Sequence, residues 1–465
     1  LLIGMASIFH PDNLVFLTGG VIIGLIFGII PGLQNVTALS ILLPFTFAMS
    51  QEHAFITMVA VYCSGIFGGG ITAIVYGIPG APENAATVAD GFAMAKKGEA
   101  AKAIGTSIFC SAIGGIISAC ILIIAAQKLA VVVLVFGPPE YFGLIFFALS
   151  MVAMMGDSIV KSILSALIGL FFATVGLGPI SGQVRFTFGS EFFLSGFDFV
   201  AIIVGVFAIA EVLDRASAPD GGSLRTSERL KKITAKLPSF SELWRLKFLV
   251  VRSSLMGTVI GILPALGAVV AAFMSYDTEK KLSRNPENFG TGIIEGVAAP
   301  ETANNASAGG AMIPLLTLGI PGSSSTAVML GAFLVYGLQT GVALFREQAH
   351  LVHLIYSSMI ASNLLMVLGA VLFIPFLARL AYVPFAYMGP TIVALCTIGA
   401  YTVRNNTLDV WSMFAFGVLG YLMSRNNFSI PVFVLGFILG PLAETAFLRS
   451  MILFDNNALQ FFYRP

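Results

Sequence analysis

The chain has 465 residues, of which 57% are hydrophobic and 10% charged, with a mean hydropathy of +0.94 and a net charge of +1. A soluble domain carries about 25% charged residues, so this chain has too few charges for a water-facing surface, and its near-zero net charge gives no basis for nucleic-acid binding. Apolar runs of membrane-spanning length, without the short alternating segments of an outer-membrane barrel, predict an all-α polytopic membrane protein.

The first run, 14–31, contains Gly24-x-x-x-Gly28-x-x-Pro31 and ends on Pro31-Gly32. Gln34, Asn35 and Thr37 then place polar groups where an apolar helix would continue. Gly68-Gly69-Gly70 precedes the tetrapeptide G-I-P-G at 77–80, and Ala81, Pro82, Glu83 and Asn84 follow it. A basic loop with Lys96, Lys97 and Lys102 leads into the run 104–127. Glu140, in G-P-P-E-Y, reads as a helix cap, and Asp157 and Lys161 are spaced to pair on one helix face. Residues 214–247 form the most polar stretch, and their Lys/Arg excess places them in the cytoplasm. The expected organisation is therefore a membrane repeat over 1–213, a polar linker over 214–247 and a second repeat over 248–465.

The second part opens with the apolar run 249–275, containing Gly257-x-x-x-Gly261-x-x-Pro264. A basic loop carries Lys280, Lys281 and Arg284. Pro300, Glu301, Asn304, Asn305, Ser307 and Gly309-Gly310 come next, then a second G-I-P-G at 319–322 followed by Ser323, Ser324, Ser325 and Thr326. Runs at 352–378 and 428–448 follow, and T-V-R-N-N-T-L-D, with Arg404 and Asp409, reads as a loop. Cys63, Cys110, Cys120 and Cys396 lie apart in apolar runs and read as small buried hydrophobes. His350 and His353 lack acidic or cysteine neighbours that would complete a metal site.

The two halves resemble each other. The G-x-x-x-G-x-x-P motif, G-I-P-G, P-x-x-Y-x-G (Pro138, Pro384) and L-G-P (Leu177, Leu439) each occur twice and in the same order. Equivalent loops are basic in only one half each: 96–102 against 338–350, and 277–284 against 50–53. That asymmetry predicts an inverted-topology pair, with equivalent loops on opposite sides of the membrane.

Within hydrocarbon every backbone N–H and C=O needs a partner. Proline removes a donor and glycine lets the chain reverse, so a mid-span G-I-P-G is costly unless its freed groups face protein, water or a ligand. Secondary transporters place half-helix N-termini there to hold an anion. Single hydroxyls in such helices usually bond only their own i−4 carbonyl, but four in succession after a repeated break point to a binding tip. Glu83 and Glu301 lie in the broken regions, and an intramembrane carboxylate is a functional candidate.

The stretches 77–103, 137–142 and 295–332, the last containing E-G-V-A-A-P-E-T-A-N-N-A-S-A-G-G, resemble the large membrane subunit of the tripartite tricarboxylate transporters along essentially the whole chain. The resemblance implies a non-enzymatic secondary transporter of the bacterial inner membrane with about twelve spans. It also implies a small membrane subunit, a periplasmic solute-binding protein delivering a carboxylate, and coupling to Na+ or H+ with no other cofactor. Carried over by position, the functional regions would be the Pro31-Gly32 turn, the two G-I-P-G tips and Asn304/Asn305, although Leu33-Gln34-Asn35 stand where the family usually has a small Gly-containing turn. Together with the polar residues at the breaks, the expected substrate site is Gly32, Gln34, Asn35, Gly80, Ala81, Asn84, Asn304, Asn305, Gly322, Ser323, Ser324, Ser325 and Thr326. Thr37, Glu301 and Ser307 stand as candidate ligands of the coupling ion. Ala81 occupies a position where the family usually has a hydroxyl. The expected mechanism is elevator-like alternating access, in which the two tip-bearing regions move together. An ion channel with a filter of broken helices is the alternative.

Overall fold

A computed structural model describes residues 2–30, 32–133, 136–153, 158–217, 239–264, 267–380 and 384–463. The protein is an all-α polytopic membrane protein. The first half comprises α1 (Leu2–Ile8), α2 (Pro11–Ile29), α3 (Asn35–Thr46), α4 (Gln51–Tyr76), a 3-10 turn (Pro82–Asn84), α5 (Ala85–Lys96), α6 (Ala100–Val133), α7 (Pro138–Ala153) and α8 (Ile159–Ala173). A two-residue antiparallel ladder, β1 (Gly176–Leu177) with β2 (Val184–Arg185), precedes α9 (Phe199–Ile203), a π segment (Val204–Ile209) and α10 (Ala210–Ala216). The second half comprises α11 (Phe240–Ile262), α12 (Gly267–Leu282), α13 (Ile294–Leu318), α14 (Ser324–Val335), α15 (Val342–Glu347), α16 (Ala349–Leu380), α17 (Phe385–Arg404), α18 (Thr407–Arg425) and α19 (Ile430–Leu453).

Seven helices among the described residues are long and apolar enough to cross a membrane: α2, α4, α6, α16, α17, α18 and α19. The expected apolar run 249–275 is not one of them. Leu263 turns to extended backbone and α12 starts anew at Gly267, because Pro264 cannot continue the ladder of α11. At 12 residues each, α3 and α14 are about 18 Å long, roughly half a bilayer.

Small residues set the spacing of the central helices. Gly20, Gly24 and Gly28 of α2 lie against Thr57, Val61, Gly65 and Gly68 of α4, and a Cβ added at Gly68 would come within 2.8 Å of the Gly28 Cα. Gly257 and Gly261 of α11 meet Ala303, Ser307 and Gly310 of α13 in the same manner. Without a hydrophobic drive between helices in lipid, such small-residue faces allow the backbones to approach closely.

The G-I-P-G breaks also match. Gly77 (φ 67°) and Gly319 (φ 69°) close α4 and α13 in the left-handed conformation. The chain then doubles back along the helix it has just left. Gly80 donates its N–H to Gly69 O (3.3 Å), and a Cβ at Gly322 would lie 2.8 Å from Ala311 Cα. Each tip therefore sits seven residues inside its helix end (76 − 69 = 7; 318 − 311 = 7), a depth of about 10 Å.

Contacts at the two ends of the bundle sort the loops. At one end Lys102 pairs with Glu242 (2.7 Å), Arg252 pairs with Glu279, and Gly292 packs on Ala93 and Met94. At the other, Tyr336 donates to Thr46 O (2.5 Å), and His350 lies 3.3 Å from Glu52. Most of the polar stretch expected at 214–247 lies outside the described residues, as does Asp157; Lys161 donates to Asn426 O (2.8 Å). Glu140 caps α7 by accepting from Gly137 N–H (2.8 Å). Arg404 and Asp409 do not lie in a loop as expected. They end α17 and begin α18 around a turn at Asn405 (φ 51°), and they pair at 2.8 Å. Cys120 is exposed, unlike the other three cysteines, on an α6 face turned outward from the bundle.

Replacing Gly68 with Ala should cost about 1–3 kcal/mol through overpacking against Gly28. Gly19→Ala, with nothing within 4 Å of the added Cβ, should leave the thermal unfolding midpoint in detergent unchanged or higher.

Candidate functional site

A cavity of about 250 Å³ opens where the breaks converge. Its walls include Gln34, Asn35 and Val36 at the start of α3, Pro82 and Glu83 at the start of the 3-10 turn, and Gly267–Val269 at the start of α12. Ser323, Ser324 and Ser325 at the start of α14, and Ser429, Pro431 and Val432 at the start of α19, complete the ring of helix N-termini. Tyr62 and Ile66 of α4, Ser307 and Ala311 of α13 and Leu435 fill the remaining wall. Among the described residues no Lys, Arg or His lines it, and Glu83 contributes a carboxylate. The unpaired N–H groups of a helix start carry about half a positive charge, so the helix starts offer an anion backbone donors.

Local chemistry fixes the tips. Ser323 and Thr326 form a reciprocal cap: Ser323 N–H donates to Thr326 Oγ1 (2.8 Å), and Thr326 N–H donates to Ser323 Oγ (3.2 Å). The Tyr62 hydroxyl lies 3.5 Å from Ser323 Oγ. Ser325 Oγ donates to Asn35 Oδ1 (2.7 Å), which joins the start of α14 to the start of α3. Gly32 (φ 81°) donates its N–H to Gly80 O (3.1 Å) and so ties the first break to the first tip.

Of the residues expected at the substrate site, Gln34, Asn35, Ser323, Ser324 and Ser325 line the cavity, as does Ser307 from the ion-ligand candidates. Thr326 is taken up in the cap. Gly32 packs against the Arg215 guanidinium, and Gly80 and Gly322 pack against the helices behind them. Ala81 is the residue before the 3-10 turn, and Thr37 is buried in α3; neither lines the cavity. Asn84, Asn304 and Asn305 also lie behind the wall. Asn305 Nδ2 donates to Glu301 O (3.3 Å), and the Asn304 amide has no hydrogen-bond partner among the described residues.

Behind the wall, Glu301 is fully buried in α13 and its carboxylate collects four donors. Thr87 Oγ1 (2.6 Å) and Asn84 Nδ2 (3.3 Å) reach Oε1; Ser107 Oγ (2.9 Å) and Ser111 Oγ (3.2 Å) reach Oε2. Asp90 has a different task. It accepts from the N–H groups of Gly290, Gly292 and Ile293 and from the Tyr276 hydroxyl, pinning the start of α13 to α5.

Sequence reasoning missed Tyr62, the start of α12 and Ser429 in the cavity, and Thr87, Ser107 and Ser111 on Glu301. Ser429-Ile430-Pro431 carries a helix-start signal, but nothing in it marks a site. The hydroxyls lie in ordinary apolar runs and become a cluster only in three dimensions.

The family model described as Tripartite tricarboxylate transporter TctA family matches residues 14–435. The chain belongs to this family. It is 36% identical over 464 residues to an Agrobacterium vitis protein described as an uncharacterized 52.8 kDa protein in the TAR-I ttuC' 3'region, covering 100% of this chain and 92% of that relative. It is 41% identical over 209 residues to an uncharacterized protein in the TAR-II ttuC' 3'region of the same organism, covering 45% of this chain and 86% of the relative. No solved structure matches the chain. As a TctA-family chain it is a component of a tricarboxylate transporter, and the cavity at its breaks is the candidate site for the transported anion.

Ser325→Ala would leave the buried Asn35 oxygen without its donor. The expected cost is about 1–3 kcal/mol. A double-mutant cycle of Ser325→Ala with Asn35→Ala, read by thermal unfolding, should return a coupling of about 0.5–3 kcal/mol.

Proposed function

We propose that the chain is the large membrane subunit of a cation-coupled transporter that imports a carboxylate across the bacterial inner membrane. A periplasmic solute-binding protein delivers the carboxylate, a small membrane subunit completes the assembly, and Na+ or H+ drives uptake. The observation that carries this reading is the ring of five helix starts around one small cavity lined by hydroxyls, amides, apolar side chains and the Glu83 carboxylate, with no basic side chain among the described residues. Such a surface holds a carboxylate while leaving it no fixed cation from which it must later be pulled, which suits a carrier that has to release its cargo.

Alternating access follows from where the cavity lies. Tyr62, Ser307 and Ala311 belong to the group formed by α2, α4, α6, α11 and α13, whereas Ser429–Leu435 belong to α19, which packs on α7 and α8. Displacement of the first group against the second, in an elevator-like stroke, would carry the site across the membrane. Glu301 and Asp90 bind the first tip to α13, so that tip and helix travel together. Inverted topology is supported by the loop contacts: the 93–102 and 277–293 loops share one end of the bundle, and the 46–53 and 336–350 loops share the other.

In proteoliposomes holding this chain and its small subunit, with the binding protein supplied outside, replacing Ser323 and Ser324 together by Ala should lower kcat/KM for carboxylate uptake by about tenfold or more. Uptake that does not depend on the binding protein would sink the tripartite reading. In a Cys120→Ser background, Lys97→Cys and Gln339→Cys should label from opposite faces of the membrane; labelling from one face would sink inversion.

A further inference from the structure

The Glu301 carboxylate is the centre of a second site, distinct from the anion cavity. It is fully buried, and among the described residues its side-chain partners are Asn84, Thr87, Ser107 and Ser111, with no Lys, Arg or His hydrogen-bonded to it. A lone ionised carboxylate in a low-dielectric interior is expensive unless a positive charge offsets it. Asn84, Thr87, Ser107 and Ser111 are each as fully buried as Glu301 and come from three separate elements. Gly70 leaves the room they need: a Cβ there would lie 2.7 Å from Glu301 Oε2.

Two positive charges can offset the carboxylate, a proton or a small cation. A proton takes one acceptor position from the carboxylate, and Ser111, which also reaches Glu301 O (3.4 Å), can turn its donor there. The Asn84 Oδ1 is buried and without a partner among the described residues. Turning the Asn84 amide over brings Oδ1 towards Glu301, an approach that two acceptor oxygens allow only with a proton or a small cation between them. The side chains then offer six oxygens: both of the carboxylate, Asn84 Oδ1, and the hydroxyls of Thr87, Ser107 and Ser111. An all-oxygen set without thiol or imidazole selects a hard cation, and one carboxylate balances a single positive charge.

We propose that Glu301, with Asn84, Thr87, Ser107 and Ser111, binds a dehydrated sodium ion. The proposal rests on the cation-coupled reading above and names the site at which coupling occurs. Asn84 ends the 3-10 turn whose Pro82 and Glu83 line the anion cavity, and Thr87 follows in the first turn of α5. An ion on Glu301 therefore fixes one wall of that cavity, and sodium binding promotes anion binding without the two charges touching.

The test uses the purified full chain in detergent, with no carboxylate present. NaCl is titrated against choline chloride at constant ionic strength, with KCl as comparison, and the unfolding midpoint is read. Wild type should show a saturable rise with sodium, by mass action, and a smaller one with potassium. Glu301→Gln should abolish the rise, and Ser111→Ala should weaken sodium affinity by about tenfold or more. A wild-type midpoint indifferent to sodium overturns the proposal. So does a sodium response retained in Glu301→Gln, or a midpoint that follows pH and not sodium, which marks Glu301 as a proton carrier. If Glu301→Gln does not fold, unchanged sodium affinity in Ser111→Ala overturns it instead. Sodium binding by a chain that then fails to take up carboxylate leaves the site standing and removes only the transport reading.

Discussion

The N–H of Gly80 bonds to Gly69 O, and the carbonyl of Gly80 accepts from Gly32 N–H. That short relay answers the severest constraint on the molecule, the requirement that backbone released from a helix inside hydrocarbon find partners there. It also fixes where everything else lies. Once the chain has turned at Gly77 and bonded to its own helix two turns back, the following helix must start deep in the bundle. The Gly319 turn has the same consequence for α14, and the start of α14 then meets the start of α3 through Ser325 and Asn35. The cavity is what remains between helix starts that have each been brought inward.

Glycine makes the arrangement possible on both sides of the backbone. At Gly77 and Gly319 it supplies a conformation that other residues adopt at a cost. At Gly28, Gly68, Gly261 and Gly310 it supplies room, because paired helices approach there to backbone distance. Rigid pairs of this kind give the tips a firm backing, and the tips themselves carry the polar chemistry.

Much of this was legible in the sequence, and for a physical reason. Breaks in apolar segments are rare and expensive, so Pro31-Gly32, Pro264 and both G-I-P-G motifs stand out, and their polar followers Gln34, Asn35 and Ser323–Ser325 do line the cavity. The resemblance carried by 77–103 and 295–332 led to the family that the comparison found. What sequence could not show was depth. Asn84 and Asn304 follow the same local pattern as the cavity residues but fall behind the wall, since a helix turns its faces every 100° or so and only packing decides which face meets the void. Thr87, Ser107 and Ser111 gave no signal at all, because a hydroxyl bonding its own helix and one bonding Glu301 look identical in one dimension. The run 249–275 reads as one apolar segment by hydropathy alone, which averages across Pro264, but the chain breaks there into α11 and α12.

The described cavity wall carries no basic side chain, and under the proposed function this has an evolutionary consequence. The N–H groups that would draw an anion belong to the backbone, and among point mutations only a change to proline removes one. Attraction for carboxylates would then be inherited with the fold, while the outline of the acceptable molecule would be written by a few exchangeable positions such as Gln34, Tyr62, Ser324 and Ser429. Affinity and selectivity could diverge independently, and a lineage could move from one organic acid to another without passing through a carrier that binds none.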